Sequence, residues 1–301
     1  MLKVGLFGLL LAVSSLLFLL WGFPPEEVVL KLRVPELLST LSYGGVLALS
    51  GGVYQNALRN PLAEPYTLGV AAGSALGATV GLWLGGGAEA GALTGGALTV
   101  LLLFIGFKLF KTPYSIILMG VGLSALFGSL ILLLYALLPA YTLQDALYFT
   151  LGLIQPVNLK VALGLAAASL LTLLTALKFK REIELLPLGA ELAYFSGVDY
   201  SRATALLLLL FSIPVALFVS QFGVVGFLGL AAPHAVRLLG FKKGRSFIFL
   251  TFLSGALLLT LSQLAAKLLL YPTLLPAGVI TGVFGAPVFL LILWRFGGVR
   301  G

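Results

Sequence analysis

The sequence predicts an all-α, polytopic membrane protein of about ten transmembrane helices with both termini cytoplasmic. Three observations carry this expectation. Of the 301 residues 60% are hydrophobic and only 9% charged, where a soluble domain carries roughly a quarter charged residues. Apolar runs of about 20 residues, the length that crosses a bilayer core about 30 Å thick, recur along the whole chain. Basic residues sort onto one side of the resulting spans. No stretch is polar enough to form a soluble domain, so residues 1–301 read as one transmembrane domain.

Taken in order, the predicted spans are 4–23, 37–58, 66–88, 90–107, 114–138, 161–177, 203–222, 226–239, 246–266 and 272–294. The first resembles a signal peptide, but its run is long and reaches Trp21-Gly22-Phe23-Pro24 with no small-residue cleavage site, so it reads as a retained helix. Residues 203–236 form one apolar run of 34, about 51 Å as a single helix. Pro214, Gly223 and Gly226 favour a kink and a break, and two spans result. Residues 140–159 are too polar and too interrupted by Pro156 to cross. They read as an interfacial segment holding at most a short helix.

With the N-terminus inside, fourteen basic residues are cytoplasmic and four (Lys31, Arg33, Lys160, Lys267) are external. That is the positive-inside asymmetry. The net charge of +8 is therefore topological, and nucleic-acid binding drops out.

Small residues recur at four-residue spacing: Gly69, Gly73, Gly77, Gly81 and Gly85 in the third span, Gly44, Ala48 and Gly52 in the second, Gly120, Ser124 and Gly128 in the fifth, and Gly278, Gly282 and Ala286 in the tenth. Lipid supplies no hydrophobic drive between helices, so such residues gain dispersion contacts by letting backbones approach. Tight packing within one subunit is the expected role, ahead of a glycine-lined path.

Chemistry-bearing residues are few. Cysteine is absent, which excludes thiol catalysis, disulfides and cysteine metal sites. His234 is the only histidine, and no acid lies near it in sequence. It follows Pro233 at the expected start of a short helix, where packing or capping is its expected role. Neither HExxH nor GxxxxGK[ST] occurs. No catalytic residue, metal ligand or cofactor bound by this chain is expected. Every acid falls near a span end or in a loop, so ion-coupled transport lacks its usual intramembrane carboxylate, and energy for pumping would come from a partner.

The most polar stretch is 178–202, where Lys178, Lys180, Arg181, Glu182, Glu184, Glu191, Asp199 and Arg202 fall within 25 residues. The topology places it in the cytoplasm.

Three stretches resemble the FecCD/BtuC-type permeases of ABC importers. These are Arg33-Val-Pro35 with the SGG…QNALRNPLAEPYTLGVAAG core after it, GVVGFLGLAAPHAVR at 223–237, and LPAGVITGVFGAPVF at 275–289. The resemblance implies a permease for an iron chelate (siderophore or haem) or vitamin B12 in a bacterial or archaeal cytoplasmic membrane. It implies a homodimer with a path on the two-fold axis, two cytoplasmic ATPase subunits and an external substrate-binding protein. Asn60, Pro61, Pro233, His234 and Arg237 would be structural motif residues. Within 178–202, residues 186–200 match the family's ATPase-coupling segment. Leu188, Gly189, Ala190, Glu191, Phe195 and Gly197 would carry that role, with a short helix over Leu188–Phe195 stopped by Gly197. Arg33 and Lys267 match docking positions for the binding protein, while Glu36 stands where a second docking arginine is usual. Lys31 is a possible substitute. The loop Lys111–Ser115 matches a cytoplasmic gate with Thr112, Pro113 and Tyr114, the tyrosine serving equally as an interfacial anchor.

Overall fold

The computed structural model describes residues 2–110, 112–270 and 273–297 and contains only helices and connecting turns among them. Helix α1 (Leu2–Leu20) is followed by one turn, α2 (Glu26–Val28), a π-helical segment (Val29–Arg33) and the central helix α3 (Val34–Ala57). Then come α4 (Val70–Trp83), α5 (Ala88–Phe110), α6 (Pro113–Tyr135), α7 (Ala140–Leu151) and α8 (Leu159–Lys178). The polar stretch holds α9 (Lys180–Leu185), a 3-10 turn (Leu186–Leu188) and α10 (Ala190–Phe195). The chain finishes with α11 (Tyr200–Phe222), α12 (Leu228–Leu238), α13 (Gly244–Leu268) and α14 (Ala277–Gly297).

A helix lies in every predicted span. Among the described residues six are long and apolar enough to cross a membrane by length and composition, whereas those at Gly5–Leu20, Val70–Trp83 and Ala277–Pro287 are apolar but shorter. The expected span 66–88 is cut to fourteen residues because Gly69 (φ 82°) and Gly85 (φ 73°) take left-handed conformations that end the helix on both sides. Two of the glycines in that stripe are thus terminators. The three between them pack: a Cβ on Gly73 would strike the Thr99 side chain, and one on Gly77 or Gly81 would strike the carbonyl oxygen of Gly91 or Gly87. In α3, Gly44 meets Gly255 of α13 backbone to backbone. Gly120 rests on Leu68, and Gly278 on the carbonyls of Leu151 and Val224, but Gly128 and Gly282 face open space. The stripe between α4 and α5 is packing within one subunit. Overfilling it with Gly77→Ala is expected to cost about 1–3 kcal/mol, read as a lowered unfolding temperature of the purified chain, whereas Gly128→Ala leaves that temperature unchanged.

α3 is the least apolar of the six long helices and the most enclosed, while α6 is the most apolar and the least enclosed. In lipid this is the expected ordering, since an outward face must be apolar and an enclosed one can carry polar groups provided they find partners. Those of α3 do. Tyr43 donates to the Gly223 carbonyl at 2.7 Å and stacks on Phe218 at 5.4 Å between ring centres. The Tyr54 hydroxyl meets Ser212 at 2.6 Å, and Ser50 donates to the Phe211 carbonyl at 3.3 Å.

Between α11 and α12 the helix breaks at Gly223 and resumes at Leu228, as its glycines predict. The opened backbone is satisfied from outside. The Val224 amide donates to the Phe149 carbonyl (3.1 Å) and Gly278 to Gly152 (3.2 Å). The end of α7, which the sequence leaves as an interfacial segment, therefore braces the break and the start of α14.

Candidate functional site

Two polar clusters sit near opposite ends of α3, at Glu36 and at Gln55 and Asn56, about 30 Å apart at 1.5 Å per residue.

At the first end, Glu36 is 2% exposed. Its carboxylate accepts from Lys267 at 2.6 Å and from Gln263 at 2.8 Å, and the same Gln263 amide donates to the Ile154 carbonyl. The Lys267 ammonium also lies 4.4 Å over the Phe18 ring. Arg33 donates to the carbonyls of Phe18 (3.3 Å) and Leu19 (3.0 Å), which end α1. Glu36 is thus buried in contacts within the chain. It joins α3 to α13. Lys31 is exposed and paired with Glu27 at 2.5 Å.

At the second end, Arg237 in the last turn of α12 donates to the side-chain oxygens of Gln55, in a very short contact, and Asn56 (3.0 Å), with its guanidinium 5.0 Å over the Phe247 ring. Gln55 donates onward to the Gly229 carbonyl at 2.9 Å. That carbonyl lacks its helical donor because residue 233, four further on, is proline. The helix runs Leu228–Leu238 within the expected span 226–239, with Pro233 in its interior and not at its start. His234 lies inside it, with Nδ1 3.0 Å from the Leu230 carbonyl and its ring edge-on to Phe289 at 5.2 Å. Both contacts are packing.

The N-terminus of α12 carries the residue that sequence reasoning missed. Phe227 holds a left-handed conformation (φ 67°), and the Glu64 carboxylate is buried facing the backbone amides of Phe227 and Leu230. A carboxylate there satisfies orphan N–H groups and complements the positive end of the helix. Glu64 lies in a short loop, and its only sequence signal was an acid set inside the apolar NPLAEPYTLG run. Beside it Asn60 closes a turn, its side chain accepting from the Leu62 amide at 2.8 Å, while Pro61 is exposed. The first and second motifs are therefore one packed unit, with Gly229 against Glu64.

The polar stretch 178–202 hangs from this unit. Asn56 donates to the Ile183 carbonyl at 3.2 Å, Tyr200 to Ala57 at 3.1 Å, and the Arg59 guanidinium lies beside Gly189. The short helix runs Ala190–Phe195 and not Leu188–Phe195, because Leu188 closes the 3-10 turn and Gly189 (φ 103°, ψ 168°) breaks the chain before it. Gly197 (φ 78°) stops it as expected, with the Val198 amide returning to Ala193 and that of Gly197 to Tyr194. Asp199 then caps α11 at the Arg202 amide, 3.0 Å. Ile183, Leu186, Ala193 and Val198 face inward, whereas Leu188, Leu192, Tyr194 and Phe195 stand exposed with Ala190 and Glu191. This is an apolar patch on a segment outside the spans.

In the loop before α6, Thr112 caps that helix, accepting from the Ser115 amide at 3.2 Å, and Tyr114 is exposed. Pro113 holds the first turn of α6. Lys111 lies outside the described residues.

A model described as the FecCD transport family matches residues 6–295. The vitamin B12 import system permease protein BtuC of Vibrio cholerae is 31% identical over 96% of this chain and 92% of its own length. The iron(3+)-hydroxamate import system permease protein FhuG of Bacillus subtilis is 27% identical over 90% of this chain and 84% of its own. Among solved structures, a transporter described as a metal-chelate type ABC transporter in an inward-facing conformation superposes with a TM-score of 0.88 at 29% identity, covering 96% of this chain and 98% of that one.

Proposed function

Because the chain belongs to the FecCD transport family, we propose that it is the permease of a binding-protein-dependent importer for an iron chelate, a siderophore complex or haem. Vitamin B12 is the second reading, favoured by the likeness to the Vibrio cholerae permease. The chain is a multi-pass membrane permease and not itself a catalyst. In the reading adopted here it forms one ten-span domain over 1–301 with both ends cytoplasmic, and pairs with a second copy in a bacterial or archaeal cytoplasmic membrane. Two ATPase subunits bind the inner face. A binding protein docks on the outer face near Arg33, Lys31 and the rim of the Lys267 pair. Residues 186–200 couple ATP hydrolysis to helix movement, and Thr112, Pro113 and Tyr114 close the path inside.

The observation that carries the coupling assignment is the exposed set Leu188, Leu192, Tyr194 and Phe195 on a segment tied through Asn56 and Tyr200 to the central helix. Exposed apolar clusters outside lipid mark protein contacts. The test is reconstitution of the chain with its ATPase and binding protein in proteoliposomes, offered a ferric siderophore, haem and cobalamin in turn. Uptake of one of them that needs both partners and ATP is the expected result. Uptake by the chain alone down an ion gradient would sink the reading.

A further inference from the structure

Beside the polar stretch, where α9 meets the turn between α12 and α13, lies a cavity of about 320 Å³. Its charged lining is Lys180, Glu184, Arg237, Lys242 and Lys243, four cations against one carboxylate. Lys180 and Glu184 meet only loosely, at 3.8 Å. Arg237 spends its bonds on two neutral amides and an aromatic face and, among the described residues, has no carboxylate within ion-pair distance. Lys242 and Lys243 are exposed at the rim, again with no ion pair among the described residues. A half-buried guanidinium without a counter-charge is costly, and an arginine fork joined by lysines is the donor set that suits phosphate oxygens. One further group is unsatisfied. Glu184 Oε1, the oxygen that faces the Lys180 ammonium at 3.8 Å, is buried and accepts no hydrogen bond, so an occupant that brings a donor as well as negative charge completes the cavity.

We infer that this cavity binds a phosphate-bearing anion that also carries a hydrogen-bond donor. A hydroxylated phospholipid headgroup meets this description, and so does protonated inorganic phosphate. Arg237 and the lysines hold the phosphate oxygens, and the donor turns to Glu184. Because Pro187 also lines the cavity, an occupant touches the end of the segment assigned above to coupling. Only that consequence rests on the transport reading; the anion site stands without it.

The test uses the purified full chain with no ATPase, so its failure is separate from a failure of uptake. In one arm the chain in phosphatidylcholine nanodiscs is titrated with phosphatidylglycerol and bound lipid is counted by native mass spectrometry. In the other, inorganic phosphate is titrated and the unfolding temperature is read. The variant is Lys242→Gln with Lys243→Gln, both at exposed positions, and the control pair is Lys108→Gln with Lys160→Gln. Loss of about 30-fold in affinity is expected from the first pair, at the usual contribution of a lysine near anionic headgroups, and none from the control. Binding in the lipid arm alone identifies a headgroup as the source, and protection by phosphate alone identifies a soluble anion; either supports the site. No binding in either arm, or equal loss in both variant pairs, overturns it.

Discussion

Replacing Leu188 and Phe195 together with aspartate is expected to abolish ATP-driven uptake while leaving the chain folded and the ATPase able to hydrolyse ATP. Leu188 is 55% and Phe195 77% exposed, so neither supports the fold to a large degree. Covering an exposed Leu or Phe on a partner contributes about 1.5–3 kcal/mol, and a charge there adds a desolvation cost. The pair therefore removes enough contact free energy to weaken docking by a factor of 100 or more, taking about 1.4 kcal/mol per tenfold. Glu191→Gln is expected to do less, because an exposed charge contributes at most about 1 kcal/mol. Co-purification with the ATPase, uptake into proteoliposomes and the hydrolysis rate are the three measurements. A double variant that assembles and transports at the parent rate would remove residues 186–200 from the coupling role.

Lys267→Met is expected to destabilise the chain by about 3 kcal/mol, toward the lower end for breaking a buried ion pair, since the lysine side chain keeps 23% of its exposure. The loss comes from Glu36, whose charge is left in an enclosed site with only Gln263 to donate to it. Adding Glu36→Gln to the same chain should recover most of the loss, because the uncompensated charge is gone. Denaturant or thermal unfolding of the four chains of this cycle gives the coupling between the two sites directly. Additive single losses would mean that the pair does not hold α3 to α13.

Much of the architecture was legible because the bilayer imposes one rule on every span. Long apolar runs such as those of α6, α11 and α13 need no partner to be recognised, and the break at Gly223 and Gly226 announces itself by glycine spacing. The polar stretch 178–202 was legible as charge. Other features depended on residues far away in the chain. The glycines at 69 and 85 look like those at 73, 77 and 81, and only their backbone conformations separate terminators from packing positions. The span 226–239 was legible, but not how its helix tolerates Pro233: the donor to the Gly229 carbonyl comes from Gln55, 178 positions before the proline.

By itself, then, the sequence determined that the chain is built of apolar helices of membrane-spanning composition and which family the three motifs resemble, because the cost of moving a side chain into lipid is a local property of each stretch. What only the tertiary structure decided is how the charged residues are used. Glu36 is neutralised by Lys267, Glu64 closes a helix terminus within the fold, and Arg237 lines a cavity with, among the described residues, no carboxylate at ion-pair distance. A charge is stabilised or left wanting by whatever lies within a few ångströms of it. For these residues that neighbour comes from another part of the chain, in the case of Glu36 and Lys267 more than 200 residues away.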